Sequence, residues 1–92
     1  MYPANPDVTA QLGMVYGVSG DYNNALKYLN MADALKPGNA TVLYNKAVAY
    51  DRMGKTSEAA DIYRQIVLLA SDGSLDQSFP IEVVRQRLAA LR

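Results

Sequence analysis

The sequence predicts an all-α protein built from five short antiparallel helices, and three observations lead to this prediction. Apolar residues recur at intervals of three and four in five successive segments, which is the period of one helix face, and strand-like alternation is absent. Glycine and proline separate these segments. The stretch GDYNNALKYL, which starts at Gly20, has a counterpart in GKTSEAADIY, which starts at Gly54.

The first helix is predicted to begin after Asn5, because asparagine is a favourable cap and Pro6 suits the first helical turn. Apolar residues then follow at helical spacing: Val8, Leu12, Val15 and Tyr16. The stretch Ser19–Asp21 ends this helix. Asp21 can cap the second helix, since its carboxylate can accept a hydrogen bond from a free backbone N–H.

The second helix has an apolar stripe formed by Ala25, Leu29 and Ala32, with Leu26 and Leu35 beside it. The stretch Lys36–Asn39 ends it, because proline cannot continue a helix and a glycine follows. Asn39 is predicted to cap the third helix. The apolar face of that third helix holds Leu43, Ala47 and Tyr50.

The fourth helix follows Gly54, and we expect Thr56 to cap it. One face of this helix is apolar and consists of Ala59, Ile62, Tyr63, Ile66 and Leu69. A polar loop, Ser71–Ser78, leads to a fifth helix that Phe79–Pro80 opens. The apolar stripe of the fifth helix is Ile81, Val84, Leu88 and Leu91, and its opposite side carries Arg85, Gln86, Arg87 and Arg92.

Composition argues against several classes of function. Nine basic and nine acidic residues cancel, and no basic face stands out, so nucleic acid and anionic membranes are disfavoured as partners. The chain has no cysteine and no histidine, which excludes disulfides, Cys/His zinc sites and histidine-based triads. The only glutamates are Glu58 and Glu82, and neither lies in an apolar run. We therefore expect no enzymatic activity, no metal and no cofactor.

The sequence contains no obvious membrane or export signal. No apolar run approaches the roughly 20 residues that span a bilayer. The N-terminal stretch MYPANPD lacks the basic and apolar regions of a signal peptide. We expect no direct membrane insertion, and these features favour a cytoplasmic location.

The chain matches itself when it is shifted so that Gly20 falls on Gly54. The other matching pairs at this shift are Val8/Val42, Tyr16/Tyr50, Ala25/Ala59 and Leu35/Leu69, and Gly13 is paired with the equally small Ala47. The pairs Gly13/Ala47 and Ala25/Ala59 fall where two helices of one hairpin would approach closely. Gly20 and Gly54 fall at the turn between them.

A helix–turn–helix unit of about 34 residues with this pattern resembles the tetratricopeptide repeat. The first copy has nearly the whole signature of that family: Leu12, Gly13, Tyr16, Gly20, Tyr22, Ala25, Leu29, Ala32 and Pro37. The second copy keeps Leu43, Ala47, Tyr50, Gly54, Ala59 and Tyr63. The resemblance covers Pro6 to Gly73. It implies a right-handed superhelical array of antiparallel helix hairpins.

The second copy departs from the family pattern at three positions. Lys46 and Ile66 stand where an apolar and a small residue are usual, and Ser71 replaces the usual proline, so the fourth helix is expected to run on by a turn. The predicted organisation is a linker (residues 1–5), two repeats (6–39 and 40–73), and a loop with a capping helix (74–92). The capping helix would cover the apolar face at the end of the array.

In proteins that this chain resembles, the first helix of each hairpin lines a concave groove. By that resemblance the groove residues here are Ala10, Met14, Gly17, Tyr44, Asn45, Val48, Asp51 and Arg52. Some members of the family hold a terminal carboxylate with lysines and asparagines at such positions. Here Ala10 and Met14 stand at two of them, and Asn45 is the one matching amide. The groove is therefore apolar with one charged corner, which suits an apolar peptide or an amphipathic helix.

The leading hypothesis is a protein–protein interaction module that binds a partner peptide or helix in this groove, within a larger assembly. Tyr44 is the strongest candidate for a binding hot spot, because aromatic residues are over-represented there. An alternative is that the groove side chains only pack against neighbouring hairpins. A structural scaffold is a competing function: the uncovered face of the first helix, with Val8, Leu12 and Val15, would stack on further repeats or on a second copy.

Overall fold

The computed structural model describes residues 5–76 and 78–91, and these residues form five α-helices without strands. The helices are Pro6–Ser19 (α1), Tyr22–Leu35 (α2), Ala40–Arg52 (α3), Thr56–Ser71 (α4) and Ile81–Ala90 (α5). The predicted all-α class and the array of helix hairpins are confirmed. Most of the predicted linker, residues 1–4, and Arg92 lie outside the described residues.

Three of the four predicted side-chain caps are present. Asn5 accepts hydrogen bonds from the backbone N–H groups of Asp7 and Val8 at the start of α1. Asn39 accepts from the N–H groups of Thr41 and Val42 at the start of α3. The Asp21 carboxylate accepts from the N–H of Asn24. The prediction for Thr56 is wrong: Thr56 is the first helical residue, Lys55 occupies the cap position, and no side chain bonds to the start of α4.

The turns inside the two hairpins have the same geometry, as the match between the two copies predicts. Gly20 has a φ of 88° and Gly54 a φ of 80°, in the left-handed region that favours glycine. In the first turn the N–H of Asp21 donates to the Tyr16 carbonyl at 3.0 Å, and in the second the N–H of Lys55 donates to the Tyr50 carbonyl at 2.9 Å. Both glycines therefore end their helices by the same local mechanism.

The core lies between the helices in two clusters of buried apolar side chains. The first joins α2 to α3 through Ala25, Leu29, Ala32 and Val42. The second joins α3, α4 and α5, and consists of Leu43, Ala47, Ala59, Ile62, Tyr63, Ile66 and Val84. Each apolar stripe predicted for these helices thus contributes to a cluster, and α3 belongs to both because it contacts α2 on one side and α4 on the other.

The departures from the repeat pattern have local consequences. Lys46 lies against α2, where its ammonium nitrogen is 3.6 Å from the Asp33 carboxylate, so an ion pair takes the place of an apolar contact. The α4 helix extends two residues past Leu69, the counterpart of the residue that ends α2. The predicted extension is therefore correct in direction and amounts to about half a turn.

One face of α1 is exposed although its counterpart in α3 is buried. Val8 and Val15 are 61% and 64% exposed, whereas Val42 and Ala49, which occupy the matching positions of the second copy, are 3% and 2% exposed. The reason is that α2 packs against α3, while no helix among residues 5–76 and 78–91 covers this side of α1. We call the exposed residues Val8, Leu12 and Val15 the α1 face.

Candidate functional site

A cavity of about 370 Å³ lies among α1, α2 and α3, and we call it the α1–α3 cavity. Its α1 side is apolar and contains Gly13, Met14, Gly17 and Val18. Its α3 side contains Tyr44, Asn45, Val48, Ala49 and Arg52, and α2 contributes Tyr22, Ala25 and Leu29. The volume is within the range of known ligand pockets, and the lining combines apolar side chains with the polar groups of Asn45, Arg52 and two tyrosines.

Gly17 is what keeps the α1 side of this cavity open. A Cβ at this position would meet no neighbouring atom closer than the Ala25 Cβ, at 3.9 Å, so the space beside Gly17 is free. The counterpart of Gly17 in α3 is Asp51, and the counterpart of Val18 is Arg52. The α1 side of the cavity has no charged residue, whereas the α3 side carries the charge of Arg52.

A second cavity of about 350 Å³, the α3–α5 cavity, lies beside the first. It is lined by Tyr44, Val48, Asp51, Arg52, Tyr63, Val83 and Arg87. Tyr44, Val48 and Arg52 line both cavities, so the two adjoin along one face of α3. We call the two cavities together the groove.

An ion pair at the far end of the groove joins α5 to α3. The Arg87 guanidinium donates through Nε to one carboxylate oxygen of Asp51 and through Nη2 to the other, at 2.6 Å. The Tyr63 hydroxyl donates to the same carboxylate at 3.4 Å. A bidentate pair of this kind uses both carboxylate oxygens and fixes the orientation of both side chains.

These contacts change the pKa values of the groups involved. The hydrogen bonds from Arg87 hold the pKa of the Asp51 carboxyl below its ordinary value, and the charge of Arg87 adds to the effect. Burial, followed by the negative charge of Asp51, raises the pKa of Tyr63 to about 12. Asp51 is thus ionised and Tyr63 neutral at physiological pH.

Arg52 is the charged group of the groove that has no ion-pair partner among the described residues. No carboxylate of residues 5–76 and 78–91 lies within 4.0 Å of its guanidinium. Its charge still contributes to the low pKa of Asp51, so the two groups are near each other. The Asp51 carboxylate, however, is already engaged by Arg87.

Comparison with known proteins identifies the architecture. A family model described as tetratricopeptide repeat matches residues 19–75, more than half of the chain. The chain belongs to the tetratricopeptide repeat family. A comparison with curated proteins finds no match. Tetratricopeptide repeats generally mediate protein–protein interaction and are typically non-catalytic.

Most of the groove residues that the tetratricopeptide repeat pattern predicts come together in the structure. The α1–α3 cavity is lined by Met14, Gly17, Tyr44, Asn45, Val48 and Arg52 from that set. Asp51 lies in the α3–α5 cavity. Ala10 lines neither cavity, because it is half-buried against the apolar cluster between α2 and α3.

Tyr44 has structural contacts as well as a place in the groove. Its ring packs edge-on against Phe79 with the ring centroids 6.1 Å apart, and it tilts against Tyr63 at 6.4 Å. It also borders the apolar cluster around Tyr63 and Val84. Removing Tyr44 would therefore disturb the packing of α4 and α5 as well as the groove.

Arg87 and Val83 are groove residues that the tetratricopeptide repeat pattern does not indicate. Arg87 lies on the polar side of the fifth helix, where it stays about half exposed while its guanidinium bonds to Asp51. The spacing of Arg87 four residues after Val83 is the one available signal, since it places both on one helix face.

Among the described residues, none of the helices has the length and apolar composition that a membrane-spanning segment needs.

Proposed function

We propose that this chain is a protein-binding module whose groove holds an apolar segment of a partner protein. The observation that carries the proposal is the pair of adjoining cavities along α3, of which the first is apolar on its α1 side and has free space beside Gly17. In this proposal residues 6–39 and 40–73 are the two repeats, and residues 74–92 form the cap. Binding would come from burial of apolar surface, with polar groups on α3 setting the orientation.

The geometry of Gly17 supplies a test that separates binding from folding. Gly17→Leu places a side chain in the open space of the α1–α3 cavity, and it replaces glycine in a helix by a good helix former. We expect the variant to be at least as stable as the parent and to lose peptide binding by tenfold or more. Peptides selected from a random phage-displayed library on the full chain serve as probes, with Kd measured by fluorescence anisotropy.

Asn30→Leu is the matched control, since Asn30 is an exposed α2 residue that lines neither cavity. It adds the same apolar side chain elsewhere on the surface and should leave the Kd unchanged. Selected peptides that bind the Gly17→Leu variant as tightly as the parent would show that binding occurs outside the groove, and the proposal would fail.

A second candidate function is self-association through the α1 face, which would make the protein an assembly scaffold. The observation that favours it is the contrast between exposed Val8 and Val15 and their buried counterparts Val42 and Ala49. In this proposal a helix of a second copy would cover the α1 face much as α2 covers α3.

Light scattering coupled to size exclusion, over a series of concentrations, tests the scaffold proposal. We expect a mass that rises with concentration for the parent chain and a monomer for Val15→Asp. Leu68→Asp is the control, because Leu68 is also exposed (67%) but lies on α4. A parent chain that stays monomeric throughout, or a Val15→Asp variant that still associates, would contradict the scaffold function.

A further inference from the structure

The groove carries a net positive charge. Of the three charged side chains that line it, Asp51 and Arg87 are bonded to each other through both carboxylate oxygens. Arg52 is the third, and no carboxylate of the described residues pairs with it. The Asp51 carboxylate cannot turn to Arg52 without breaking its bidentate bonds to Arg87, so the groove as a whole carries one positive charge.

An apolar segment that fills the groove would remove water from around the Arg52 guanidinium. Removing water from an unpaired charge costs free energy. A hydrogen bond to an ionised partner offsets much of this cost. Arg52 is exposed in the free protein, and it is the one charged side chain that lines the α1–α3 cavity, so a carboxylate on the bound segment could pair with it.

The place of Arg52 in the groove indicates which part of the segment supplies that charge. Arg52 lines both cavities, together with Tyr44 and Val48. A segment that extends across both cavities therefore passes Arg52 in its middle and not at its end. The counterpart of Arg52 on α1 is Val18, which is 92% exposed and uncharged, so the attraction is confined to the α3 side.

We propose that the partner segment is apolar with an internal aspartate or glutamate, and that this carboxylate pairs with Arg52. The inference rests on the proposed binding function of the groove and adds the chemistry of the partner to it. The acid fixes the register and direction of the segment, with its apolar side chains towards Met14 and Gly17 and its carboxylate towards α3.

The same library selection tests this inference by the sequences that it returns and by a double-mutant cycle. We expect the selected peptides to share an Asp or Glu flanked by apolar residues. Replacing that acid by alanine should raise the Kd about tenfold or more, as expected for a charged hydrogen bond. Arg52→Gln should cause a similar loss, and combining the two changes should cause little further loss.

Two further variants sharpen the result. Arg52→Glu should weaken binding of the acidic peptide and strengthen binding of the same peptide with lysine in place of its acid. Arg85→Gln is the control, because it removes an exposed arginine that pairs with Glu82 and lines neither cavity, and it should leave the Kd unchanged. Amidation of the C-terminus of the peptide should also have no effect if the internal acid is the group recognised.

The outcomes separate this inference from the function on which it rests. If Gly17→Leu abolishes binding but the acid-to-alanine peptide and Arg52→Gln leave the Kd unchanged, the groove binds a segment and the acid inference is overturned. A loss of affinity on amidation with none on removal of the internal acid would assign the charge to a chain terminus and overturn it as well. If Gly17→Leu has no effect on any selected peptide, both proposals fail.

Discussion

At the residue scale, two glycines one helical turn apart on α1 have opposite roles. Gly13 is buried, and a Cβ there would come within 2.7 Å of the Leu29 Cγ and 3.1 Å of the Ala25 carbonyl oxygen. Gly17 has only the Ala25 Cβ nearby, at ordinary contact distance. The absence of a side chain lets α1 and α2 approach closely at Gly13, while at Gly17 it leaves space in the groove.

The two alanine variants at these positions should therefore change stability in opposite directions. Gly13→Ala should lower the free energy of unfolding by about 1–3 kcal/mol, because Leu29 or the α2 backbone has to shift. Gly17→Ala should raise it by roughly 0.5–1 kcal/mol, since alanine is the better helix former. Urea denaturation followed by circular dichroism measures both. Equal effects of the two variants would contradict the assignment of Gly13 to the helix crossing.

At the scale of the helices, the two hairpins share backbone geometry but not capping. The cap residue of α2, Asp21, has φ −88° and ψ 77°, and that of α4, Lys55, has φ −87° and ψ 71°. The aspartate accepts a hydrogen bond from the helix start, while the lysine offers no acceptor and places a positive charge at the positive end of the helix dipole. The backbone of Lys55 would therefore allow a side-chain cap at the start of α4, but the lysine side chain does not provide one.

Lys55→Ser should stabilise the protein by supplying this cap. The serine would stand three residues before Glu58, the arrangement of a capping box, in which each side chain bonds to the backbone N–H of the other residue. We expect a gain of about 0.5–2 kcal/mol in the free energy of unfolding. Lys55→Ala is the control, because it removes the lysine without adding an acceptor. A gain that is equal in both variants would mean that removal of the lysine, and not capping, is responsible.

At the scale of the whole molecule, the ion pair at the end of the groove connects parts of the chain that are far apart in sequence. Asp51 on α3, Tyr63 on α4 and Arg87 on α5 meet at one carboxylate, so three helices share this contact. The pKa of Asp51 is lower in the folded state than in the unfolded state. The Asp51 carboxylate therefore stabilises the fold at pH values above its unfolded pKa, and this stabilisation is lost as the pH falls through the folded pKa.

Tyr63 makes stability depend on pH at the alkaline end. An unfolded tyrosine loses its proton near pH 10.0, whereas folded Tyr63 keeps it until about pH 12, so the unfolded state binds fewer protons between these values. The free energy of unfolding should therefore fall as the pH rises through this window, by roughly 2 kcal/mol from this group. Tyr63→Phe keeps the buried ring and removes the ionisable hydroxyl.

Urea denaturation at pH 9, 10, 11 and 12 measures this dependence. The Tyr63→Phe variant should lose less stability than the parent between pH 10 and 12, with each protein compared with its own value at pH 9. Identical slopes for the two proteins would contradict the high pKa of Tyr63.

The helices and the repeat could be predicted from the sequence alone, because they depend on short-range interactions. The spacing of Ala25, Leu29 and Ala32 indicates a buried helix face, and the structure buries all three. Asn5, Asp21 and Asn39 were identifiable as caps because the bond they accept comes from a residue two or three positions away. Thr56 was misplaced by one position, since both Lys55 and Thr56 precede the apolar stripe and only the backbone shows which one is helical.

The way in which these helices combine into a groove with a particular charge depends on tertiary packing. Arg87 and Asp51 are 36 residues apart, and they meet because α5 packs on the apolar cluster that α3 and α4 share. No local pattern encodes this contact. The sequence therefore could not show that Asp51 is bonded to Arg87, or that Arg52 has no carboxylate within 4.0 Å among the described residues. The helices follow from contacts within a few residues, whereas the electrostatics of the groove follow from packing between distant segments.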